Sequence, residues 1–293
     1  MSASAFSAKL MLLSAMGIWG SIGVVRHYIP IDSAPLVTMR AVIGALCMAA
    51  FLLLTARRPD WKGIRKNAWM LAFSGMAVGI NWLLLFEAYK HTTVAVATVC
   101  YYMAPIIVML LSPVLLHEAI SRQKMTGILS AFLGIACISG LFSAGAAGGA
   151  TLSGVLYGLG AAFFYSTLVF FNKRMAPMDP TAKTGVQLFF AAAVLIPYVW
   201  AAPLPPLSVF TPTVTALVLV LGIVHTGLAC FLYFGSMDKL PAQTVALYSY
   251  LDPILAVFFS AFLLHEPLNA MTVAGAVLVL GGAFIGEFKF SRR

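Results

Sequence analysis

Charge is what this chain has least of. Charged residues fill 9% of its 293 positions and only nine of them are acidic, while hydrophobic residues fill 61%; ordinary soluble domains run near roughly 25% charged and 45–50% apolar. So little polar surface cannot cover a water-exposed exterior, which excludes a soluble globular enzyme or binding domain. Cysteine is scarce as well. Cys47, Cys100, Cys137 and Cys230 each fall inside an apolar run, where they act as small apolar residues and build no disulfide framework. There is no Gly-rich phosphate loop at a strand-to-helix turn, hence no signature for ATP as energy source. Paired carboxylates at close spacing and Cys–His clusters are missing too, so the expectation is a protein that is not an enzyme and needs no metal or cofactor.

What fills the space is apolar sequence. A bilayer crossing takes roughly 20 residues, and ten runs qualify: 8–28, 34–55, 68–89, 93–115, 121–141, 152–172, 182–202, 212–234, 242–264 and 268–288. The first is too long for a signal peptide and lacks a small-residue cleavage site, so it is expected to stay as a membrane helix. The runs leave no room for a soluble domain. With ten spans, nearly all Lys and Arg fall on the side of the termini, leaving only Arg26, Arg40 and Lys90 for the other half. By the positive-inside rule both termini are expected in the cytoplasm. The net charge of +9 is thereby assigned to topology and not to nucleic-acid binding. The expected location is the plasma membrane, the inner membrane in a Gram-negative cell.

The tetrapeptide LLHE occurs at 115–118 and again at 263–266, followed at equal distances by Gly127 and Gly134 in one copy and Gly275 and Gly282 in the other. The same offset of 148 brings Tyr102 onto Tyr250, Pro105 onto Pro253 and Gly79 onto Gly227, and an offset of 145 brings Trp19 onto Phe164 and Pro35 onto Pro180. The chain therefore reads as one membrane domain of two repeats, 1–145 and 146–293. Five spans per repeat is odd, so the second copy runs through the membrane in the opposite sense. The expected fold class is all-α integral membrane, ten transmembrane helices as two inverted five-helix repeats. Each His-Glu pair then joins two spans. His117-Glu118 and His265-Glu266 begin like the zinc motif HExxH, but Ser121 and Asn269 stand where its second His belongs. A Glu at the N-terminus of the following helix, with a His serving the last carbonyls of the preceding one, is the structural reading; a gating contact is the sharper one.

Ten spans, the five-plus-five repeat, Trp19-Gly20 in the first helix, Arg40 in the second and the Leu-x-Glu-like ends at 116–118 and 264–266 resemble the EamA-type drug/metabolite transporters over essentially the whole chain. The stretch NWLLLFEAYKHTTVAVATVCYYMAPIIVML is similar to the branch that exports aromatic amino acids. The resemblance implies a carrier of small metabolites. It also marks a departure, because the family pattern has Leu-Gly-Glu where this chain has Leu-His-Glu.

In an inverted repeat the substrate site is expected near the midplane between the halves. Pro105 and Pro253 sit mid-span at matching positions and deprive the carbonyls of Tyr101 and Ser249 of their helical donors, making them hinge candidates or packing kinks. Ionisable groups at membrane depth are candidates by default: Arg40, as substrate clamp or as ion-pair partner of Glu87; His225, as an interior hydrogen-bonded imidazole; and Asp252, as ammonium partner or proton carrier. Interior aromatics (Trp19, Trp82, Tyr101, Tyr165, Tyr248) and amides (Asn81, Gln187, Gln243) complete the candidate cavity lining. The expected activity is export of amino acids, aromatic ones included, by alternating access. A multidrug or organic-cation exporter is the alternative, and a membrane enzyme acting on lipid-linked substrates a more distant one. The lipid bilayer and a small-molecule substrate are the expected partners, with no nucleic acid and no obligate protein partner.

Overall fold

The computed structural model describes residues 3–55, 58–92, 94–139, 141–142, 151–200, 202–265 and 270–287. All regular structure among them is helical. Helix is what an apolar medium demands, because only a helix satisfies its backbone polar groups within the segment. Leu53, Leu54, Val114, Phe189 and Phe262 are large apolar side chains exposed on the bundle surface, as expected of a lipid-facing exterior.

Helices α1 (Ala3–Gly20) and α2 (Ile22–His27) form the first crossing, broken at Ser21, and α3 (Ser33–Leu54) the second. After the short α4 (Trp61–Lys66) comes α5 (Ala68–His91); the next crossing is split into α6 (Val94–Tyr101) and α7 (Ala104–Leu115), and α8 (Arg122–Ile138) follows. The second half runs α9 (Leu152–Arg174), α10 (Pro180–Trp200), a crossing made of α11 (Pro212–Gly222), a π-helical turn Ile223–Leu228 and α12 (Ala229–Met237), then the split pair α13 (Ala242–Ser249) and α14 (Leu251–Leu263), and α15 (Ala270–Glu287). Eight of these crossings are long and apolar enough to span a membrane. The fifth and tenth expected spans come out shorter: α8 has 17 residues and α15 has 18, about 26 Å of helix against a hydrocarbon core of about 30 Å.

Those two short helices lie against each other. A Cβ placed on Gly134 would meet the carbonyl oxygen of Gly275 at 2.5 Å, and one on Gly275 the oxygen of Gly134 at 2.6 Å; Gly127 stands in the same relation to Gly282. The four glycines that follow the two LLHE copies thus form two backbone-to-backbone contacts in antiparallel register, the small-residue packing used where lipid supplies no hydrophobic drive. Gly20 has the same purpose between α1 and α14, where a Cβ would meet Leu255 Cβ at 2.7 Å and the backbone oxygen of Asp252 at 3.1 Å.

Both LLHE histidines adopt a left-handed backbone, φ 56° at His117 and at His265. The expectation that these imidazoles serve helix-end carbonyls gives way to a backbone role. His117 is exposed, and its left-handed turn sends the Glu118 N–H back to the Ser112 carbonyl at 3.3 Å, as helix-ending left-handed residues do. Glycine in the family pattern fits this geometry, and His is among the few side chains that tolerate it. His117→Val is therefore expected to lower stability by about 1–2 kcal/mol, whereas His117→Gly holds or raises it; thermal unfolding in detergent reads the difference.

The loops 58–67, 116–121, 175–179 and 238–241 gather at one end, here called the base; the opposite end is the mouth. At the base the Asn67 side chain bonds both backbone groups of Ala176, donating to O at 3.0 Å and accepting from N at 2.8 Å. Asp60 accepts from Gly63 N at 2.9 Å and Asp179 N at 3.1 Å, and these backbone donors, Gly63 first, hold its carboxyl below the usual aspartate range. A depressed carboxylate stabilises the fold at neutral pH and loses that contribution as pH falls through the depressed value. Lys183 pairs with Asp238 at 2.7 Å, and Lys173 donates at 3.0 Å to the carbonyl of Met237, the last residue of α12, and at 2.7 Å to that of Leu240 beyond it, placing a cation at a helix end where the dipole favours it. The base is closed.

Candidate functional site

Between the halves, from mid-bundle toward the mouth, lies a cavity of about 370 Å³, within the range of small-ligand sites. α3 brings Arg40 into it, α5 brings Asn81, Trp82, Phe86 and Tyr89, the break between α6 and α7 brings Tyr101 and Tyr102, α9 brings Tyr165, α12 brings Tyr233, and α14 brings Asp252 and Pro253. Trp19 closes the α1 side. Met16, Ala104, Pro105 and Ser249 line a smaller recess that adjoins it at Trp19, Tyr101, Tyr102, Tyr165 and Asp252.

Three irregularities in the helices aim these groups. Pro105 and Pro253 remove donors, and the helices come apart at Tyr102–Met103 and at Tyr250. The two tyrosines at the breaks then cross-link the halves: Tyr250 Oη donates to the Tyr102 carbonyl at 3.0 Å and Tyr102 Oη lies 3.4 Å from Asp252 Oδ2. The π-turn at Ile223–Leu228 is the third. It offsets the backbone so that the His225 carbonyl accepts from Trp19 Nε1 at 2.9 Å, and it sets Thr226 Oγ1 between the Leu221 carbonyl at 2.9 Å and Arg40 Nε at 3.0 Å. Such turns are frequent at functional sites.

The Arg40 guanidinium stacks on Trp82, its Cζ 4.7 Å from the ring centroid, and commits one N–H to Thr226. The pairing with Glu87 that the sequence suggested is not made: Glu87 sits near the mouth end of α5, bonded to Lys90 at 2.7 Å and to Tyr198 Oη, with His91 at 3.7 Å. Among the described residues no carboxylate lies within ion-pair distance of Arg40. Arg40 lines the cavity, and a guanidinium carries five N–H donors in a fixed fork, of which Nε is the one bonded to Thr226. Among the described residues no cation lies within ion-pair distance of Asp252 either, and Tyr102 Oη meets its carboxyl at 3.4 Å. A guanidinium and a carboxyl group thus share an aromatic chamber without a direct pair between them. On the floor Tyr165 Oη bonds Tyr233 Oη and, at 2.9 Å, Ser249 Oγ.

The structure brings together Trp19, Arg40, Asn81, Trp82, Tyr101, Tyr165 and Asp252. Of these Asn81 spends one donor outside the cavity, its Nδ2 donating to the Ala161 carbonyl at 2.7 Å, while its side chain also bonds Tyr101. Gln187 lies outside the cavity, bonded to Ser74 at 2.6 Å where α10 meets α5. His225 is buried behind the wall between Ser21 Oγ at 3.0 Å and the Val220 carbonyl at 3.3 Å, the interior imidazole of the plainer reading. Tyr248 lies off the cavity beneath Lys9, whose Nζ is 5.5 Å from the ring centroid. Gln243 is at the base: its Nε2 donates to the carbonyls of Glu118 and Ala119 at 3.1 and 3.2 Å. Glu118 does not cap the helix that follows it, since Ser121 Oγ already accepts from Lys124 N at 3.1 Å as the cap of α8. Its carboxylate instead accepts from Ala242 N at 2.9 Å and Gln243 N at 3.4 Å, capping α13 of the other half. Glu266 lies outside the described residues. Tyr233, Tyr89 and Thr226 were not singled out from the sequence; a Tyr or Thr within an apolar run carries no signal of its own, and only the glycines flanking Thr226, Gly222 and Gly227, hint that the helix there is irregular.

The model of the EamA-like transporter family matches the chain twice, at residues 6–140 and 152–286. Among curated relatives, the uncharacterized transporter YxxF of Bacillus subtilis (strain 168) is 25% identical over 94% of this chain and 88% of its own. Protein PecM of Dickeya dadantii (strain 3937) is 28% identical over 94% and 91%, and protein RarD of Salmonella typhimurium (strain LT2) 25% identical over 94% and 90%. A solved crystal structure aligns with a TM-score of 0.80 over 96% of this chain and 97% of the other at 19% identity, a likeness of fold.

Proposed function

The chain belongs to the EamA-like transporter family, a multi-pass membrane transporter, and from that premise we propose that it exports amino acids, aromatic ones included, across the plasma membrane. The observation that carries this reading is the Arg40 guanidinium stacked on Trp82, with no carboxylate at ion-pair distance among the described residues, lining the same aromatic chamber as Asp252. A guanidinium holds a carboxylate through two parallel hydrogen bonds. A carboxylate partner suits an ammonium, and tyrosine and tryptophan walls suit a ring. A zwitterion satisfies both charges at once, which is cheaper in a low-dielectric site than leaving either unpaired.

Ten spans in two inverted halves supply the movement in this reading. The double match to one family model and the breaks before Pro105 and before Pro253 support it. With the termini in the cytoplasm, the closed base faces inward and the mouth outward; tilting about the two breaks exposes the cavity to each side in turn. Binding free amino acid requires both ends of the zwitterion. In proteoliposomes, phenylalanine is expected to be carried while its methyl ester, lacking the carboxylate, and its N-acetyl form, lacking the ammonium, are not. Asp252→Asn is expected to weaken the free amino acid about tenfold or more, the scale of one lost charge-assisted bond. Transport of the ester equal to that of the free acid favours instead the organic-cation exporter, which Asp252 and the aromatic walls also suit.

A further inference from the structure

Besides the Asn67–Ala176 and Asp60–Asp179 bonds, the base has a contact between the halves made by a residue that the cavity chemistry does not use. Glu118, at the end of the first LLHE, reaches the N-terminus of α13, where Ala242 N and Gln243 N donate to its carboxylate at 2.9 and 3.4 Å. The Gln243 side chain answers by donating to the carbonyls of Glu118 and Ala119. α13 has no cap of its own, because Pro241 precedes it and offers no side-chain acceptor. No cation lies within ion-pair distance of Glu118 among the described residues, so its carboxylate is spent on that helix end, where backbone donors and the dipole both favour an anion.

The other end of α13 is in the cavity. Its eight residues, about 12 Å of helix, run from the Glu118 contact to Ser249, whose hydroxyl meets Tyr165, and to Tyr250, whose hydroxyl holds the Tyr102 carbonyl. The break at Tyr250 separates this rod from α14, so it can tilt without dragging its successor. We infer that Glu118 is a positioning residue of the transport cycle: its carboxylate latches the base shut through α13, and movement at the cavity end of that helix releases the latch. The inference rests on the reading of the cavity as the transport site. Release is reversible by its chemistry. Once the base admits water, both the carboxylate and the two freed N–H groups are hydrated, so the net difference is modest and the bond works as a latch where a buried, dry ion pair would be a permanent tie.

Hydrogen exchange read by mass spectrometry on the full chain in nanodiscs, with no substrate added, tests it. Glu118→Ala is expected to raise exchange at the amides of residues 242–245 about tenfold, the scale of one charge-assisted bond, and at the same time to slow exchange at residues 85–92 and 94–98 around the mouth, because opening one end of a two-state carrier closes the other. Glu118→Gln, which keeps an acceptor and loses the charge, is expected to fall between, and Ser121→Ala, which removes the cap of α8 in the same hairpin, to leave both regions unchanged. Unaltered protection of 242–245 in Glu118→Ala overturns the latch. Faster exchange there with no reciprocal change at the mouth overturns the coupling and leaves Glu118 a simple helix cap. Neither outcome depends on which solute is carried, so a failure of the amino acid reading shows itself separately, in the transport assay.

Discussion

Arg40→Gln is expected to weaken transport of a free amino acid by about a hundredfold or more, since breaking one side of a desolvated charge pair costs on the order of 3–5 kcal/mol. The loss appears chiefly in KM, because the guanidinium binds a substrate group that does not change during transport. Arg40→Lys is expected to do little better. A lysine ammonium lacks the planar fork and the flat face that lies on Trp82. Stability distinguishes this role from a structural one. Among the described residues Arg40 holds the fold through a hydrogen bond to Thr226 and a ring contact, with no ion pair to break, so the variant should unfold within a few degrees of the parent while carrying almost nothing. With Asp252 left alone, an amine without a carboxylate, such as phenethylamine, is expected to gain relative to phenylalanine. A large fall in Tm with normal transport by the surviving protein would assign Arg40 to the scaffold.

The second large effect belongs to the scaffold itself. Gly134→Leu is expected to destabilise the protein by about 1–3 kcal/mol, the range for forcing extra atoms into a packed contact, with several degrees lost from Tm for a chain of this size. Even the first added carbon would stand 2.5 Å from the Gly275 carbonyl oxygen, and backbone cannot turn aside as a side chain can. Gly134 and Gly127 together should cost more than either, since α8 and α15 meet at both points. Gly17→Ala is the control: nothing lies within 4 Å of a Cβ there, so α1 gains a better helix former and the melting point holds. Equal melting points for Gly134→Leu and Gly17→Ala would mean that α8 and α15 do not pack through their glycines.

The membrane character and most crossings were legible because hydrophobicity and length are all a spanning helix needs. The internal likeness was legible because LLHE, its trailing glycines and the mid-span prolines are rare enough in apolar sequence to be matched by eye. What each copy does was less so. The glycines after Glu118 read as repeat markers, but their partners are the opposite members of the other set, Gly127 with Gly282 and Gly134 with Gly275, a pairing that depends on antiparallel docking and not on local sequence. Glu118 was placed correctly at a helix N-terminus in chemistry and wrongly in address, since local reasoning offers α8 and only the fold brings α13 within reach. Arg40 and Glu87 were a natural pair by charge and depth; in space Glu87 has Lys90 one turn away on its own helix, and the nearer claim wins. The π-turn that presents Thr226 to Arg40 and the His225 carbonyl to Trp19 adds one residue to a helical turn, a shift that hydrophobic periodicity in an all-apolar run cannot reveal.

The central claim is that this cavity carries zwitterionic amino acids, and uptake into proteoliposomes tests it most directly. Purified protein is reconstituted, a panel of radiolabelled amino acids is offered with and without an imposed pH gradient, and Arg40→Gln is run in parallel. The account predicts saturable, protein-dependent uptake of phenylalanine, tryptophan or tyrosine that Arg40→Gln abolishes. Silence across the panel, with transport of an organic cation that Arg40→Gln leaves intact, would contradict it.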